Sequence, residues 1–128
     1  MHEPIPAEDE RIAYEVIGAA IEVHRHLGPG FLEKIYERAL VYELSLRGIH
    51  VEPQKDILVP YKDIQIPGQT LDILVCARVI LELKAVSELA PIHQAQLLSY
   101  LKATGLRLGL LINFNVPVLK DGIKCIVR

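Results

Sequence analysis

Asp72, Glu82 and Lys84 are the residues of this chain whose types and spacing best suit chemistry. They lie in two apolar runs, Leu71-Asp72-Ile73-Leu74-Val75 and Val79-Ile80-Leu81-Glu82-Leu83-Lys84. Side chains alternate faces along a strand, so Glu82 and Lys84 share a face. A three-residue loop at Cys76-Ala77-Arg78 would set Asp72 opposite Glu82 on that face. Burying such groups is costly unless they are paired or bind a metal. Two carboxylates can hold a hard divalent ion such as Mg2+ through oxygen. Such an ion activates water and neutralises charge building on a phosphate. A nearby lysine can orient that water or stabilise the transition state. The trio therefore has the residue types of a metal-dependent phosphodiesterase. The bland alternative is a surface strand with an ordinary Glu–Lys pair and a solvated aspartate.

Four more residues could join them. Gln96 and Tyr100 lie four apart and would share one helix face, able to position a carboxylate, a water or a phosphate. The alternative for Tyr100 is packing with its hydroxyl at the rim. Glu33 lies under Leu40 and Leu44 on helical geometry, so its carboxylate falls on the apolar side of its helix. Glu37 is only about 40° away at 100° per residue, so this geometry does not choose between the two. A glutamate at a helix start also offsets the helix dipole. His24 ends an inward stripe of Ala13, Ile17 and Ala20, and is either a metal ligand or a hydrogen-bonded core histidine. His26 and His93 are expected to be exposed near helix ends.

The surrounding pattern supplies the elements that must position these groups. Helical period from about Glu8 to Leu27 places Ile12, Val16, Ala19, Val23 and Leu27 on one stripe. Leu27-Gly28-Pro29-Gly30 stops that helix. A second helix is expected from Phe31 to Arg47, closed by Gly48. Short strands at Ile49–Val51 and Ile57–Tyr61 follow, with turns at Asp63 and Pro67-Gly68. After the two charged strands, Pro91 opens a third helix that ends near Thr104-Gly105. Leu106–Phe114 reads as a buried strand and Ile123–Val127 as a last one. A helix between the Glu82 strand and the Leu106–Phe114 strand makes a crossover, so that pair could be parallel; the earlier strands should be antiparallel. The expectation is an α/β fold, a mixed sheet packed by helices.

A chain of 128 residues is expected to form one domain over residues 8–128, after a loose tail at residues 1–7. The net charge of −2 argues against a surface built for strong non-specific nucleic-acid binding, without excluding a local basic groove. Cys76 and Cys125, each beside apolar residues, suit a reduced interior better than a disulfide framework. No secretory pattern opens the chain and no apolar run approaches a membrane span. The expected location is cytoplasmic, with no membrane partner.

Several of these residues also fall into an ordered set. Gly30-Phe31-Leu32-Glu33-Lys34-Ile35-Tyr36 reads as G-x-x-E-x-x-Y. It follows Val23-His24 and Leu27-Gly28-Pro29 and precedes Glu37-Arg38-Ala39-Leu40. Asp72, Ile80-Leu81-Glu82-Leu83-Lys84-Ala85, Gln96-Leu97-Leu98-Ser99-Tyr100 and Gly109-Leu110-Leu111-Ile112-Asn113-Phe114 come next. The set resembles the small GxxExxY proteins grouped with the PD-(D/E)XK nuclease superfamily. The resemblance covers nearly all of the chain past Glu8. It implies a restriction-endonuclease-like core, Asp72 and Glu82 at the metal, and Lys84 as the catalytic lysine. It matches Glu33 to the acidic residue of the first core helix and Gln96 and Tyr100 to the Q-x-x-x-Y element of RecB-like nucleases. His24 is matched loosely to their upstream histidine. The sequence departs from relatives at Thr70-Leu71, which precede Asp72 without a proline, and at Cys125, near where an arginine is usual.

The implied activity is hydrolysis of phosphodiester bonds in DNA, with RNA as the other candidate. One or two Mg2+ or Mn2+ ions would be held by Asp72, Glu82 and the Leu83 backbone carbonyl. A homodimer, or a partner protein supplying target binding, is a further expectation. The competing class is a catalytically silent module that binds nucleic acid or a partner protein.

Overall fold

The computed structural model describes residues 4–128. Residues 1–3 of the expected tail lie outside the described residues, and helix α1 (Ala7–Leu27) already begins at Ala7. Its acidic first turn (Glu8, Asp9, Glu10) and basic last turn (His24, Arg25, His26) both complement the helix dipole. After it come α2 (Glu33–Leu46), β1 (Val51–Tyr61), β2 (Ile64–Val75), β3 (Val79–Lys84), α3 (Pro91–Thr104), β4 (Leu108–Asn113) and β5 (Ile123–Val127). The strands form one mixed sheet in the order β1-β2-β3-β4-β5. Only β3 and β4 run parallel, joined by the α3 crossover. This is the expected α/β architecture, a five-stranded mixed sheet flanked by helices.

The sheet buries its two faces unequally. Helices α1 and α2 cover one face, with Val16, Ala20, Tyr36, Leu40 and Leu44 packed on Ile73, Leu81, Leu83, Leu110 and Ile112. Helix α3 covers the other through a smaller cluster of Leu71, Leu74, Ile80, Leu97, Tyr100, Leu101 and Leu111. Gly109 lets α3 sit close, because a Cβ there would press into the Leu97 side chain at 2.8 Å.

The expected strands before β3 differ in detail. Two short strands are expected from the pattern, with turns at Asp63 and Pro67-Gly68. The turn at Lys62-Asp63 is present, with Tyr61 facing Ile64, but it joins one long hairpin of β1 and β2. Lys62 supplies the left-handed conformation at φ 51°. Pro67-Gly68 sits inside β2 beside a register slip between Ile57 and Val59, the irregular setting in which a strand tolerates proline. The outer part of the hairpin projects as an arm with Leu58, Tyr61, Ile64 and Ile66 exposed. No described helix is long and apolar enough to cross a membrane.

Candidate active site

The three-residue loop at Cys76-Ala77-Arg78 pairs Val75 with Val79, Leu74 with Ile80 and Ile73 with Leu81. The next pair in that register is Asp72 with Glu82, and there the ladder stops. Leu71 and Ile73, two residues apart, lie in clusters on opposite sides of the sheet. Regular alternation therefore breaks at Asp72. The neighbouring strand breaks at the same level: pairing passes from Pro53–Ile73 to Lys55–Leu71, and the skipped Gln54 is left-handed at φ 50°. The sheet forks at Asp72.

At the fork, side-chain carboxylates stand in for missing backbone acceptors. The Leu83 N–H donates to Asp72 Oδ2 at 2.8 Å. The Asp72 N–H donates to Glu82 Oε1 at 3.2 Å. Within a strand, one residue's N–H and C=O point to the same neighbour, so the Leu83 carbonyl faces the same gap. Glu82 is 5% exposed. Burial, then the charge of Asp72, pushes its carboxyl up to about 8, and a side-chain hydrogen bond with Asp72 adds to this. The Asp72 N–H and the Lys84 charge pull it down less strongly. Lys84 forms no ion pair within 4.0 Å among the described residues.

The expected helper residues divide. Glu33 starts α2, and its carboxyl is raised by burial and then by Asp72, while Lys84 lowers it. Glu37, one turn on, accepts from Gln54 Nε2 at 2.7 Å; burial raises its carboxyl and Asp72 raises it further. Both glutamates thus feel Asp72, and only Glu33 also feels Lys84. Tyr100 approaches from the α3 face, its hydroxyl raised by burial, then by Glu82 and Asp72. Gln96 is exposed one turn before it. His24 is buried with Nε2 2.8 Å from the Val116 carbonyl. A carbonyl only accepts, so Nε2 carries a proton and donates, while Nδ1 has no hydrogen bond among the described residues. The core-histidine alternative accounts for that contact.

Three contributors were not singled out in the sequence. Tyr36 is fully buried, donates to the Gly28 carbonyl at 2.5 Å and accepts from the Phe31 N–H at 3.2 Å. Its ring stacks on Phe114 with centroids 4.6 Å apart, and the Phe114 N–H donates to the Lys84 carbonyl at 2.9 Å. The tyrosine of G-x-x-E-x-x-Y thus ties the start of α2 to the end of β3. Asn113 accepts from the Val86 and Asn115 N–H groups and donates to the Val86 carbonyl, fastening the loop after Lys84. Gln69 donates to the Tyr100 hydroxyl. The first two stand inside quoted motifs, which was a signal; Gln69 stands in none of them.

The donor set fits a hard dication. Two carboxyls pressed together, one of them holding a proton near neutral pH, gain from exchanging that proton for a cation. Their partner would be a backbone carbonyl, giving oxygen donors throughout. Among the described residues no group of three or more His, Cys, Asp and Glu side chains is placed to hold an ion.

A family description, the PD-(D/E)XK nuclease superfamily, matches residues 10–126. The chain belongs to that superfamily, whose members are typically nucleases that use divalent metals and bind nucleic acid. Comparison with curated proteins and with solved structures yields no match.

Proposed function

We propose that the chain is a metal-dependent nuclease that hydrolyses phosphodiester bonds of DNA, RNA being the other candidate, in the manner of the GxxExxY proteins it resembles. The observation that carries this is the fork: a buried Glu82 forced against Asp72 where the ladder opens, with Lys84 on the same strand face. Asp72, Glu82 and the Leu83 carbonyl would hold Mg2+ or Mn2+, which when bound activates water and offsets charge on the phosphate. The Lys84 ammonium is a mobile donor for a phosphate oxygen. Held by no near ion pair, it can move toward charge that develops in the transition state. Glu33, whose carboxyl is raised by burial and then by the charge of Asp72 and lowered by Lys84, would serve as an acid or base at the start of α2. Tyr100 supplies an O–H from the α3 side. Gln96, exposed on the same helix, would touch the bound strand.

The test compares Lys84→Ala with Glu82→Ala for Mn2+ affinity by calorimetry and for cleavage of single- and double-stranded DNA. Lys84→Ala should keep metal binding and lose roughly 10²–10³ in rate, as for other preorganised donors. Glu82→Ala should lose both. Equal residual cleavage by the wild type and both variants would assign the activity to a contaminant and leave a binding module.

A further inference from the structure

The base of the hairpin arm brings a second polar group to the fork. Gln69 lies three residues before Asp72, and its Nε2 makes two contacts. One is to the Thr70 carbonyl at 3.1 Å and the other to the Tyr100 hydroxyl at 2.8 Å. The first settles the amide's orientation. A carbonyl can only accept, so the NH₂ end of the amide, not the oxygen, must face Thr70. The same nitrogen then gives its second proton to Tyr100, whose oxygen is the acceptor in that contact. A phenol has one proton of its own, and no protein group takes it among the described residues. That proton is turned away from Gln69, on a side chain packed with Leu71, the residue next to Asp72, and with Leu97 and Leu101; its hydroxyl also feels Glu82 and Asp72.

We infer that Gln69 is a positioning residue: by occupying a lone pair of the Tyr100 hydroxyl, it commits that hydroxyl to donate toward the Asp72–Glu82 fork. The inference rests on the nuclease reading for its consequence, since the committed donor meets a phosphate oxygen only if a phosphodiester binds there. It does not rest on that reading for its geometry. A committed donor costs no reorientation when negative charge grows on the substrate, which is what makes a preorganised hydroxyl useful. The amide also suits the position because it is neutral. A carboxylate there would accept the Tyr100 proton and withdraw it from the fork.

The experiment reverses the polarity with Gln69→Glu, nearly isosteric, and removes it with Gln69→Ala. Each is made in the wild type and in Tyr100→Phe, and cleavage of an oligonucleotide is followed with Mn2+. Gln69→Glu should lower kcat about tenfold, the scale of one hydrogen bond, and Gln69→Ala less, with KM moving little in either. In the Tyr100→Phe background both substitutions should add nothing, because the group they act through is gone. A second measurement needs no turnover: the 13C shift of Tyr100 Cζ in tyrosine-labelled protein at neutral pH should move in Gln69→Glu, where the phenol becomes a donor to residue 69. An unchanged shift overturns the inference whether or not the protein cleaves DNA. A loss of kcat that persists in Tyr100→Phe overturns it as well, since added charge alone would then explain the effect. A Cζ that shifts in Gln69→Glu while the wild type cleaves nothing would uphold the hydrogen-bond polarity and sink the nuclease reading.

Discussion

The two edges of β3 are built in opposite ways. Toward β4 the ladder is complete, six pairs from Val79–Leu108 to Lys84–Asn113. Beyond it the Phe114 N–H still reaches the Lys84 carbonyl, and the Asn113 amide fastens the next loop at Val86. Toward β2 the ladder has three pairs and then opens. On the closed edge backbone groups satisfy one another. On the open edge the donors of Asp72 and Leu83 are met by carboxylates, groups that can also meet a cation. One strand thus supplies rigidity on one side and an acidic gap on the other, and Asp72 is felt across the gap from α2 by Glu33 and from α3 by Tyr100.

The largest effect should come from titrating the open edge. The Glu82 carboxyl sits at about 8 in the folded protein, against an ordinary 4.5. Between those values the folded state keeps a proton that the unfolded state releases. The Glu82 contribution to stability should therefore be fully present below about pH 4.5, fall as pH rises to about 8, and level off above. At roughly 1.4 kcal/mol per unit the total is on the order of 5 kcal/mol. Urea denaturation at several pH values without divalent ions would measure it. Glu82→Gln should flatten the slope and raise stability at pH 8, while Mg2+ added to the wild type should recover stability there. A stability that rises through this window would mean that the carboxyls are not pressed together.

The closed edge should respond to a truncation with no such pH signature. Asn113→Ala removes the acceptor of two N–H groups and the donor to the Val86 carbonyl, in a residue 2% exposed. Leaving buried polar groups unmet costs about 1–3 kcal/mol for each group that water cannot reach, so a loss of about 3 kcal/mol is expected at every pH. If the loss depended on pH as Glu82's does, the two edges would be one coupled unit.

How far the sequence could show this depended on what each residue's neighbours were. Asp72 and Glu82 were legible because a three-residue loop sets the register and the pleat has period two. The fork was not, because alternation presumes a regular strand. The break depends on Gln54, a residue eighteen positions away whose left-handed backbone leaves no mark in its identity. The turn at Asp63 was legible, but Pro67-Gly68 also looked like a turn and is a strand irregularity, since proline and glycine serve both settings. The helices were legible to within two residues, as burial of Ile12, Val16, Leu40 and Leu44 follows their spacing. Gln69 was illegible because its role exists only through Tyr100, thirty-one residues on.

The smallest expected effect comes from the tip of the short ladder. Cys76 and Ala77 are both left-handed, at φ 51° and 56°, and the Arg78 N–H closes the turn on the Val75 carbonyl at 3.0 Å. An L-residue in that region costs about 1–2 kcal/mol. Glycine removes the clash but loses roughly 0.5–1 kcal/mol more backbone entropy on folding. Ala77→Gly, at an exposed position, should therefore stabilise the protein by only about 0.5 kcal/mol. Cleavage should not change, since three backbone pairs separate the tip from Asp72 and the fork is set by Gln54 and the end of the ladder. The two measurements are a denaturation midpoint and a cleavage rate on the same preparation. A midpoint that rises with an unchanged rate would separate the ladder from the fork. A rate that moves with the tip would show that the acidic gap is held open by the turn, and the contrast between the edges would then lie in the hairpin rather than in β3.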